Sequence, residues 1–503
     1  MKALIQFLVA APILGLIHPA IAAAHTCAKG NCVNGQGLLV YPDGGSYEGH
    51  FRDGRFEGHG IKVFDDGGTY EGEFKGGRYE GKGTRIWGNG EKYVGDFKSG
   101  MKDGQGTYTS PFGGRYVGRW KNNLHDGRGT ETEPNGDVYE GDFVNGSRNG
   151  HGVMRFRNGR TYDGQWKDNL WHGRARLMGP LDFSYEGEFK NGLFDGPGVV
   201  TFEKGSTYVG DFKQGKWHGK GELKRRGGER YAGEFAEGTY EGTGILTSAD
   251  GTVYTGEFRN GLYDGHGAVT FENGSTYVGA FKHGKWHGKG ELKRRNGAHY
   301  SGEFADGTYE GSGTLTYADG AVYTGQFRNG KREGKGVLVY ADKGRFEGNF
   351  RNDWEEGQGK IVYPDGSVYV GELRNGKRDG NGRLELRDGE KYVGEFRNSF
   401  YDGKGTLFMP QLGTYKGEFR SGKFDGAGTL FLLAGASISG QCRGGLRDGP
   451  FVLNLKDGAI VKGEYRYGVP DGRWSREEPN GSKKEWQIKD GIPKEIDQFL
   501  KGI

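Results

Sequence analysis

One short pattern recurs every 23 residues along most of this sequence: an aromatic residue, a glycine two positions later, and usually a phenylalanine two positions after that. The opening aromatic residues are Tyr47, Tyr70, Tyr93, Tyr116, Tyr139, Tyr162, Tyr185, Tyr208, Tyr231, Tyr254, Tyr277, Tyr300, Tyr323, Phe346, Tyr369, Tyr392 and Tyr415, and the frame continues through Ile438 and Val461. Two glycine columns never break, one from Gly49 to Gly463 and one from Gly58 to Gly472. A fixed period of this length predicts repeats that stack on their neighbours.

Alternation within each repeat predicts β-strands. In residues 185–189, side chains two apart share a face, so Tyr185, Gly187 and Phe189 point one way and the glutamates point the other way. We expect a loop of six residues and then a second strand that begins at the paired glycines, Gly196 and Gly198. In a symmetric hairpin, phenylalanine lies opposite the first paired glycine and the mid-strand glycine lies opposite the second. The predicted fold is all-β, an elongated single antiparallel meander of stacked 23-residue hairpins with rings laid over glycine.

Composition agrees with a thin, ring-based core. Glycine accounts for 102 of the 503 residues and hydrophobic residues for only 33%, so a thick aliphatic core is not expected. Uninterrupted periodicity favours one elongated domain over the three or four that chain length alone suggests. The formal net charge is +4, which is close to balanced and gives no reason to expect a nucleic-acid partner.

The repeat, written Tyr-Glu-Gly-Glu-Phe-Lys-Asn-Gly-x-x-x-Gly-x-Gly in residues 185–198, resembles the MORN repeat. The resemblance covers almost the whole chain after residue 46. It implies a hairpin-repeat fold and a protein-interaction scaffold that can dimerise, and a role in binding lipid headgroups is also attached to the family. Fold alone does not fix function. The balanced charge gives the lipid role little support.

Residues 1–24 are typical of a cleaved export signal. Lys2 supplies a positive start, an apolar run follows, and Ala22 to Ala24 form a small-residue cleavage site. The alternative is an N-terminal anchor helix, but the apolar run is shorter than the roughly 20 residues that span a bilayer. The sequence therefore predicts export to a periplasmic, cell-envelope or extracellular location.

Export places the three cysteines where disulfides can form. Cys27 and Cys32 lie five residues apart, so they are a candidate disulfide that staples the first hairpin. Two free thiols or an intermolecular bond are the alternatives. Cys442 replaces the inward phenylalanine of its repeat, and we expect it to be a small buried hydrophobic residue.

The two ends of the array differ from its middle. We predict an N-terminal half-repeat or cap in residues 25–46, the repeat array in residues 47–483, and a partial repeat with a capping helix in residues 484–503. The tail after Pro493 carries apolar residues at helical spacing, namely Ile496, Phe499, Leu500 and Ile503.

No catalytic or metal-binding pattern occurs in the sequence. Histidines fall into repeat columns, and His218 and His287 stand three repeats apart, too far to share a metal. The Gly-x-Gly pairs lead into strands, whereas phosphate loops require a helix N-terminus. We therefore predict no enzyme activity, no cofactor and no metal.

The shape of the predicted sheet suggests binding instead. An aromatic groove lined with glycine suits an amphipathic helix or an extended peptide, so a protein partner or a homodimer is expected. Candidate partner-binding residues are Tyr208, Phe212, Trp217, Tyr277, Phe281, Trp286 and Trp171. One alternative is a cell-envelope polysaccharide stacked on Trp171, Trp217 and Trp286, which we expect in loops. The other is a phospholipid surface, suggested by the basic runs Lys224, Arg225, Arg226 and Lys293, Arg294, Arg295.

Overall fold

The computed structural model describes residues 25–488. It confirms an all-β antiparallel meander of hairpins, with 70% strand and 1% helix. The one helical element among these residues is a short 3-10 turn at Glu203–Gly205. The predicted signal peptide and the predicted capping helix after Pro493 lie outside the described residues, and residues 484–488 belong to the last strand, Lys483–Ile488.

The described chain divides into two units, which we treat separately. The first comprises residues 25–228 and 235–238, and the second comprises residues 229–234 and 239–488. Strand β19 (Arg230–Ala236) has residues in both.

The other strands of the first unit are β1 (Thr26–Gly30), β2 (Gly35–Val40), β3 (Ser46–Arg52), β4 (Arg55–Val63), β5 (Thr69–Lys75), β6 (Arg78–Ile86), β7 (Lys92–Lys98), β8 (Met101–Thr109), β9 (Arg115–Lys121), β10 (Leu124–Thr132), β11 (Val138–Val144), β12 (Ser147–Arg155), β13 (Thr161–Lys167), β14 (Leu170–Met178), β15 (Ser184–Lys190), β16 (Leu193–Thr201), β17 (Thr207–Lys213) and β18 (Lys216–Lys224). Each strand from β1 to β17 pairs antiparallel with the next in sequence.

The strands of the second unit are β20 (Thr239–Thr247), β21 (Val253–Arg259), β22 (Leu262–Thr270), β23 (Thr276–Lys282), β24 (Lys285–Lys293), β25 (His299–Ala305), β26 (Thr308–Thr316), β27 (Val322–Arg328), β28 (Lys331–Val339), β29 (Arg345–Arg351), β30 (Trp354–Val362), β31 (Val368–Arg374), β32 (Lys377–Glu385), β33 (Lys391–Arg397), β34 (Phe400–Met409), β35 (Gly413–Arg420), β36 (Lys423–Leu432), β37 (Ser437–Arg443), β38 (Leu446–Asn454), β39 (Ile460–Arg466), β40 (Val469–Glu477) and β41 (Lys483–Ile488). They also pair antiparallel in sequence order.

The hairpin turns are shorter than the sequence suggested. Only Asn191 and Gly192 separate β15 from β16, with φ angles of 52° and 85°. Positive φ at both central residues is the type I′ turn, which matches the twist of a two-residue hairpin. The expected six-residue loop is therefore wrong, because the residues after the turn already belong to the second strand.

The register inside a hairpin is also only partly as expected. Gly187 does lie opposite Gly198, but Phe189 lies opposite Phe194, with a register shift between these two pairs. Gly196, with φ of 103°, faces Phe212 of the following strand instead. A β-bulge at this glycine accounts for the difference, since it adds residues to one strand that have no partner on the other.

The tyrosine ring lies across the paired glycines of its own hairpin. A Cβ atom added to Gly198 would lie 2.6 Å from Oη of Tyr185, closer than real Cβ contacts. The hydroxyl donates a hydrogen bond of 2.9 Å to the carbonyl oxygen of Glu188. Burial raises the pKa of Tyr185, so the phenol stays neutral. Glycine is therefore favoured here because the ring occupies the space of a side chain, although Ala175 stands at this position in the preceding repeat.

Rings from neighbouring strands complete this core. Tyr185 stacks on Phe194 with centroids 3.8 Å apart and meets Phe189 and Phe212 edge-on at 5.0 and 5.3 Å. Such pairs each contribute about 0.5–1.5 kcal/mol beyond their buried area. Within each unit the rings stabilise the sheet in the way that aliphatic packing stabilises an ordinary core.

The ends of the array use different chemistry. The Sγ atoms of Cys27 and Cys32 are bonded at 2.07 Å, which joins β1 to the turn before β2. At the other end, Ile438 and Val461 replace the opening aromatic, and Phe451 and Trp474 replace the second paired glycine. These four residues belong to one buried hydrophobic cluster. In the last of these repeats the ring over Gly463 is thus supplied from the opposite strand, by Trp474.

Candidate functional site

The opening tyrosines and the phenylalanines that follow them form a buried layer on the aromatic side of the sheet. Tyr208 and Tyr277 expose 0% of their surface, and Phe212 and Phe281 expose 5%. These four predicted partner-binding residues therefore lie in the core, where they shape the surface above them. Their contact with a partner stays a prediction.

The three predicted tryptophans lie in strands, so their placement in loops is wrong. Trp171, Trp217 and Trp286 are the second residues of β14, β18 and β24, each of which follows a two-residue turn. Each ring stacks on the tyrosine of its own hairpin, with centroids 4.6, 4.8 and 4.6 Å from Tyr162, Tyr208 and Tyr277. All three are partly exposed. One face of each indole is therefore occupied, and each ring also meets a phenylalanine of the next repeat edge-on, at 5.6 to 5.7 Å, so only part of the ring is accessible.

These tryptophans belong to a longer set, which we call the stacking column: the residue nine positions after each opening aromatic. In the first unit it consists of Phe56, Tyr79, Lys102, His125, Arg148, Trp171, Phe194 and Trp217. In the second it consists of Tyr240, Tyr263, Trp286, Tyr309, Arg332, Glu355, Arg378, Tyr401, Phe424, Arg447 and Pro470. Every member except the buried Pro470 is partly exposed. The stacking column is thus the accessible layer above the buried rings.

Lys102 is a cation set among rings of the first unit. Its Nζ lies 4.1 Å from the ring centroid of Trp120, and 5.3 to 5.7 Å from those of Tyr108, Tyr93 and Trp87. Burial lowers the pKa of Lys102, and Glu91 partly offsets that effect. The surrounding rings attract the Lys102 ammonium by cation–π interaction, which offsets part of the cost of removing it from water.

His125 and Arg148 continue the polar stretch. The imidazole stacks on Tyr116 at 3.6 Å, and burial, followed by the nearby charges of Lys102 and Arg148, lowers the pKa of His125 to about 4. The guanidinium of Arg148 forms salt bridges of 2.7 and 2.5 Å with Glu131 and Glu133. The imidazole is therefore neutral near pH 7, while Arg148 keeps its charge in a paired form.

A cavity of about 450 Å³ lies over this polar stretch. Its lining includes Glu91, Lys102, Trp120, His125 and Glu131, so acids, a base and rings border one space. The second unit has a comparable interruption, in which Arg332 pairs with Asp353 at 3.4 Å and Glu355 accepts a hydrogen bond of 3.0 Å from Tyr340. In the sequence, both polar stretches are visible as breaks in the aromatic residues of the stacking column.

The opposite side of the sheet carries paired charges. Lys82 and Asp96 lie 3.1 Å apart, and Arg128 and Asp142 lie 3.8 Å apart. Within the basic runs, Lys224 pairs with Glu222 at 3.1 Å and Lys293 with Glu291 at 3.2 Å. Both lysine charges are thus partly neutralised by neighbours on the same strand.

Neither a metal site nor a spanning helix is found in residues 25–488. No three histidine, cysteine or acidic side chains of this range are arranged to hold a metal ion. None of its helical segments has the length and apolar character needed to cross a bilayer.

Comparison with known proteins identifies the repeat. The family model for the MORN repeat matches eighteen successive segments that span residues 34–431. No curated protein matches the chain. Among solved structures, the TCP domain of Drosophila melanogaster SAS-4 (dCPAP), in complex with a proline-rich motif of Ana2 (dSTIL), is 17% identical, with a TM-score of 0.21 over 40% of this chain and 90% of that one. The TCP10 domain of Danio rerio CPAP is 12% identical, with a TM-score of 0.16 over 44% and 93%. Similarity this low supports no inference about the present chain.

Proposed function

This chain belongs to the MORN-repeat family, and we propose that it is an exported, non-catalytic scaffold that binds a protein partner, or a second copy of itself, through the stacking column. The observation that carries the proposal is the difference in exposure between layers. Tyr208 is fully buried, whereas Trp217 above it is partly exposed. Partly exposed rings on a rigid buried layer provide contact area with little loss of side-chain entropy on binding.

The chemistry of the stacking column favours a protein over other partners. Rings alternate with polar stretches, as at Lys102, His125 and Arg148 in the first unit. An amphipathic helix or an extended peptide can match such a pattern, because it offers apolar and polar side chains at fixed spacing. A sugar ring would have access to only part of each indole, since the tyrosine covers one face.

Export is supported by two independent features. Residues 1–24 have the organisation of a cleaved signal, and the bond between Cys27 and Cys32 suits an oxidising compartment. N-terminal sequencing of the protein recovered outside the cytoplasm should give His25 as the first residue. Full-length protein that stays in the cytoplasm with reduced cysteines would contradict export.

Three assays in parallel distinguish the partner classes. Purified protein is used as bait for envelope extract, sedimented with insoluble envelope glycan, and floated with anionic liposomes. We expect retention of one protein that resists moderate salt. Glycan binding that is lost in the Trp217→Ala, Trp286→Ala double variant would favour the polysaccharide function. Liposome binding abolished by salt would favour the lipid function. Substrate turnover by the purified chain would contradict a non-catalytic role.

A further inference from the structure

A partly open cavity interrupts the aromatic core near the C-terminal end of the second unit. Its volume is about 270 Å³, and it lies among strands β34 to β39. Apolar side chains form most of its wall, among them Met409, Tyr415, Leu430, Ile438 and Phe451. Cys442 and Arg447 also line the cavity, and they supply its thiol and its positive charge.

The cavity exists because one repeat lacks two rings. Ile438 stands where other repeats have tyrosine, and Cys442 stands where they have phenylalanine. Cys442 lies opposite Gly426, just as Phe419 lies opposite Gly403 one repeat earlier. A small side chain over a glycine leaves the volume of a ring unfilled.

Ring contacts stop at the same place. Tyr415, Phe419 and Phe424 contact one another, and Phe451 contacts Tyr465 and Trp474 at 5.2 and 5.6 Å. No ring contact in the described part of the second unit joins these two groups. The cavity therefore lies at a gap in the ring series of this unit, whereas the break at Leu373 is filled by that buried leucine.

The ring that borders the gap is held more loosely than its counterparts. Tyr415 is tilted by 43° from Phe424 at 4.2 Å, whereas Tyr392 and Tyr401 stack at 3.8 Å with a 13° angle. Its hydroxyl is 3.4 Å from the carbonyl oxygen of Glu418, compared with 2.9 Å for Tyr392 and Glu395. A flat group in the cavity would restore the packing that Tyr415 lacks.

A cation borders the cavity without an acidic partner. The guanidinium carbon of Arg447 lies 5.3 Å from the ring centroid of Phe451 and 5.4 Å from that of Tyr465, and its Nη1 donates a hydrogen bond of 3.3 Å to the Tyr465 hydroxyl. No carboxylate within residues 25–488 forms a salt bridge with it, whereas the nearby Arg443 pairs with Asp448 at 3.3 Å. A partly buried guanidinium of this kind favours a carboxylate ligand, which it can bind with two hydrogen bonds.

We propose that this cavity is a binding site for a small aromatic carboxylic acid. The ring of the ligand bridges the gap between Tyr415 and Phe451, and its carboxylate pairs with Arg447. Size supports this assignment, because an apolar cavity of about 150 Å³ already accepts benzene. The larger volume here leaves room for a ring with a short acidic arm. Arg447 is itself a member of the stacking column, but the ligand site does not depend on that column binding a protein.

Cys442 supplies a direct reporter of occupancy. The chain has three cysteines and two are bonded to each other, so a thiol reagent modifies Cys442 alone. Burial raises the pKa of its thiol, which makes its reaction slow and sensitive to access. A ligand in the cavity should therefore shield this sulfur.

The test measures the rate at which iodoacetamide modifies the full chain as phenylacetate is added. We expect saturable protection, with the rate falling at least tenfold. Benzyl alcohol, which has the ring without the charge, should protect only at concentrations at least tenfold higher. An unchanged rate at millimolar phenylacetate, or equal protection by the two compounds, would overturn the proposal.

Two variants locate the ligand. Arg447→Gln should weaken phenylacetate at least tenfold and leave benzyl alcohol unaffected, whereas the matched control Arg443→Gln, which is exposed and does not line the cavity, should bind like the parent. Cys442→Phe restores the ring used in other repeats, and calorimetry should detect no phenylacetate binding to it. Parent-like affinity in Arg447→Gln, or in a Cys442→Phe protein with a cooperative melt, would overturn the assignment.

Discussion

The indole of Trp474 covers Gly463 so closely that a Cβ atom on the glycine would lie 2.7 Å from Cε3 of the ring. In most other repeats this place over the mid-strand glycine belongs to a tyrosine of the same strand, as with Tyr208 over Gly210. Trp474 comes from the opposite strand, and Val461 stands at the tyrosine position. Either strand of a hairpin can therefore supply the ring that covers the glycine.

A reciprocal exchange tests that conclusion. Trp474→Gly alone should cost about 3–5 kcal/mol because it removes a buried ring. Val461→Tyr alone should cost about 1–3 kcal/mol because two rings compete for one space. In the double variant the tyrosine fills the vacated space, so the loss measured by denaturant unfolding should be smaller than the sum by at least about 1 kcal/mol. Simple additivity would show that the two rings do not exchange roles.

The mid-strand glycines, which are unbroken from Gly49 to Gly463, should tolerate a side chain poorly. In Gly210→Ala the new Cβ would lie 2.5 Å from Cα of Gly221 and 2.6 Å from Oη of Tyr208, so we expect a loss of about 1–3 kcal/mol. Gly227 belongs to the same unit and has no atom within 4 Å of the equivalent position, so Gly227→Ala is the matched control. Thermal unfolding should separate the two variants. Equal melting temperatures would contradict the close contact between ring and glycine.

The tyrosine hydroxyl should contribute less than the ring. Tyr208→Ala removes a fully buried ring and should cost about 3–5 kcal/mol. Tyr208→Phe keeps the ring and loses only the hydrogen bond of 2.9 Å to the carbonyl of Asp211, so it should cost about 1 kcal/mol. Phe346 already occupies the equivalent position in its repeat. The two variants are compared by chemical denaturation, and similar losses would contradict a ring-based core.

Stability of the first unit should depend on pH through His125. Its pKa is about 4 in the folded chain and near 6.5 when unfolded, so the unfolded state binds more protons between these values. As pH falls from 6.5 to 4, His125 should therefore lower the stability by at most about 1.4 kcal/mol per pH unit. His125→Phe, which uses the residue found at Phe56 and Phe194, should flatten this part of the profile. An unchanged slope in the melting temperature would contradict a buried neutral imidazole.

Much of the fold could be predicted from the sequence because its main constraint is local. Alternation in a strand puts Tyr185, Gly187 and Phe189 on one face, and the structure buries both rings. The opposition of Gly187 and Gly198 followed from hairpin symmetry and is confirmed. The family and the all-β meander followed from the same repeats.

The parts that were missed depend on details that a repeat pattern does not encode. Gly196 has a positive φ and lies in a β-bulge that leaves residues of β16 without partners on β15. Gly196 therefore faces Phe212 of the next strand instead of Phe189 of its own hairpin. That shift also converts the expected loop into strand, which places Trp217 against Tyr208. The polar stretch around Lys102 is visible in the sequence. The bulged pairing is what turns the side chains of the stacking column toward the aromatic face, and the repeat pattern does not predict that pairing.

The most direct test of the account compares two double variants in the binding assay. Trp217→Ala, Trp286→Ala removes partly exposed rings of the stacking column, whereas Val209→Ala, Val278→Ala trims residues of the same two hairpins that face the other side and are 48% and 53% exposed. The retained protein is quantified on equal amounts of each bait after melting confirms that both fold. We predict at least a tenfold loss of retention for the tryptophan variant and parent-like retention for the valine variant. Equal retention by both, or loss in the valine variant alone, would contradict binding through the stacking column.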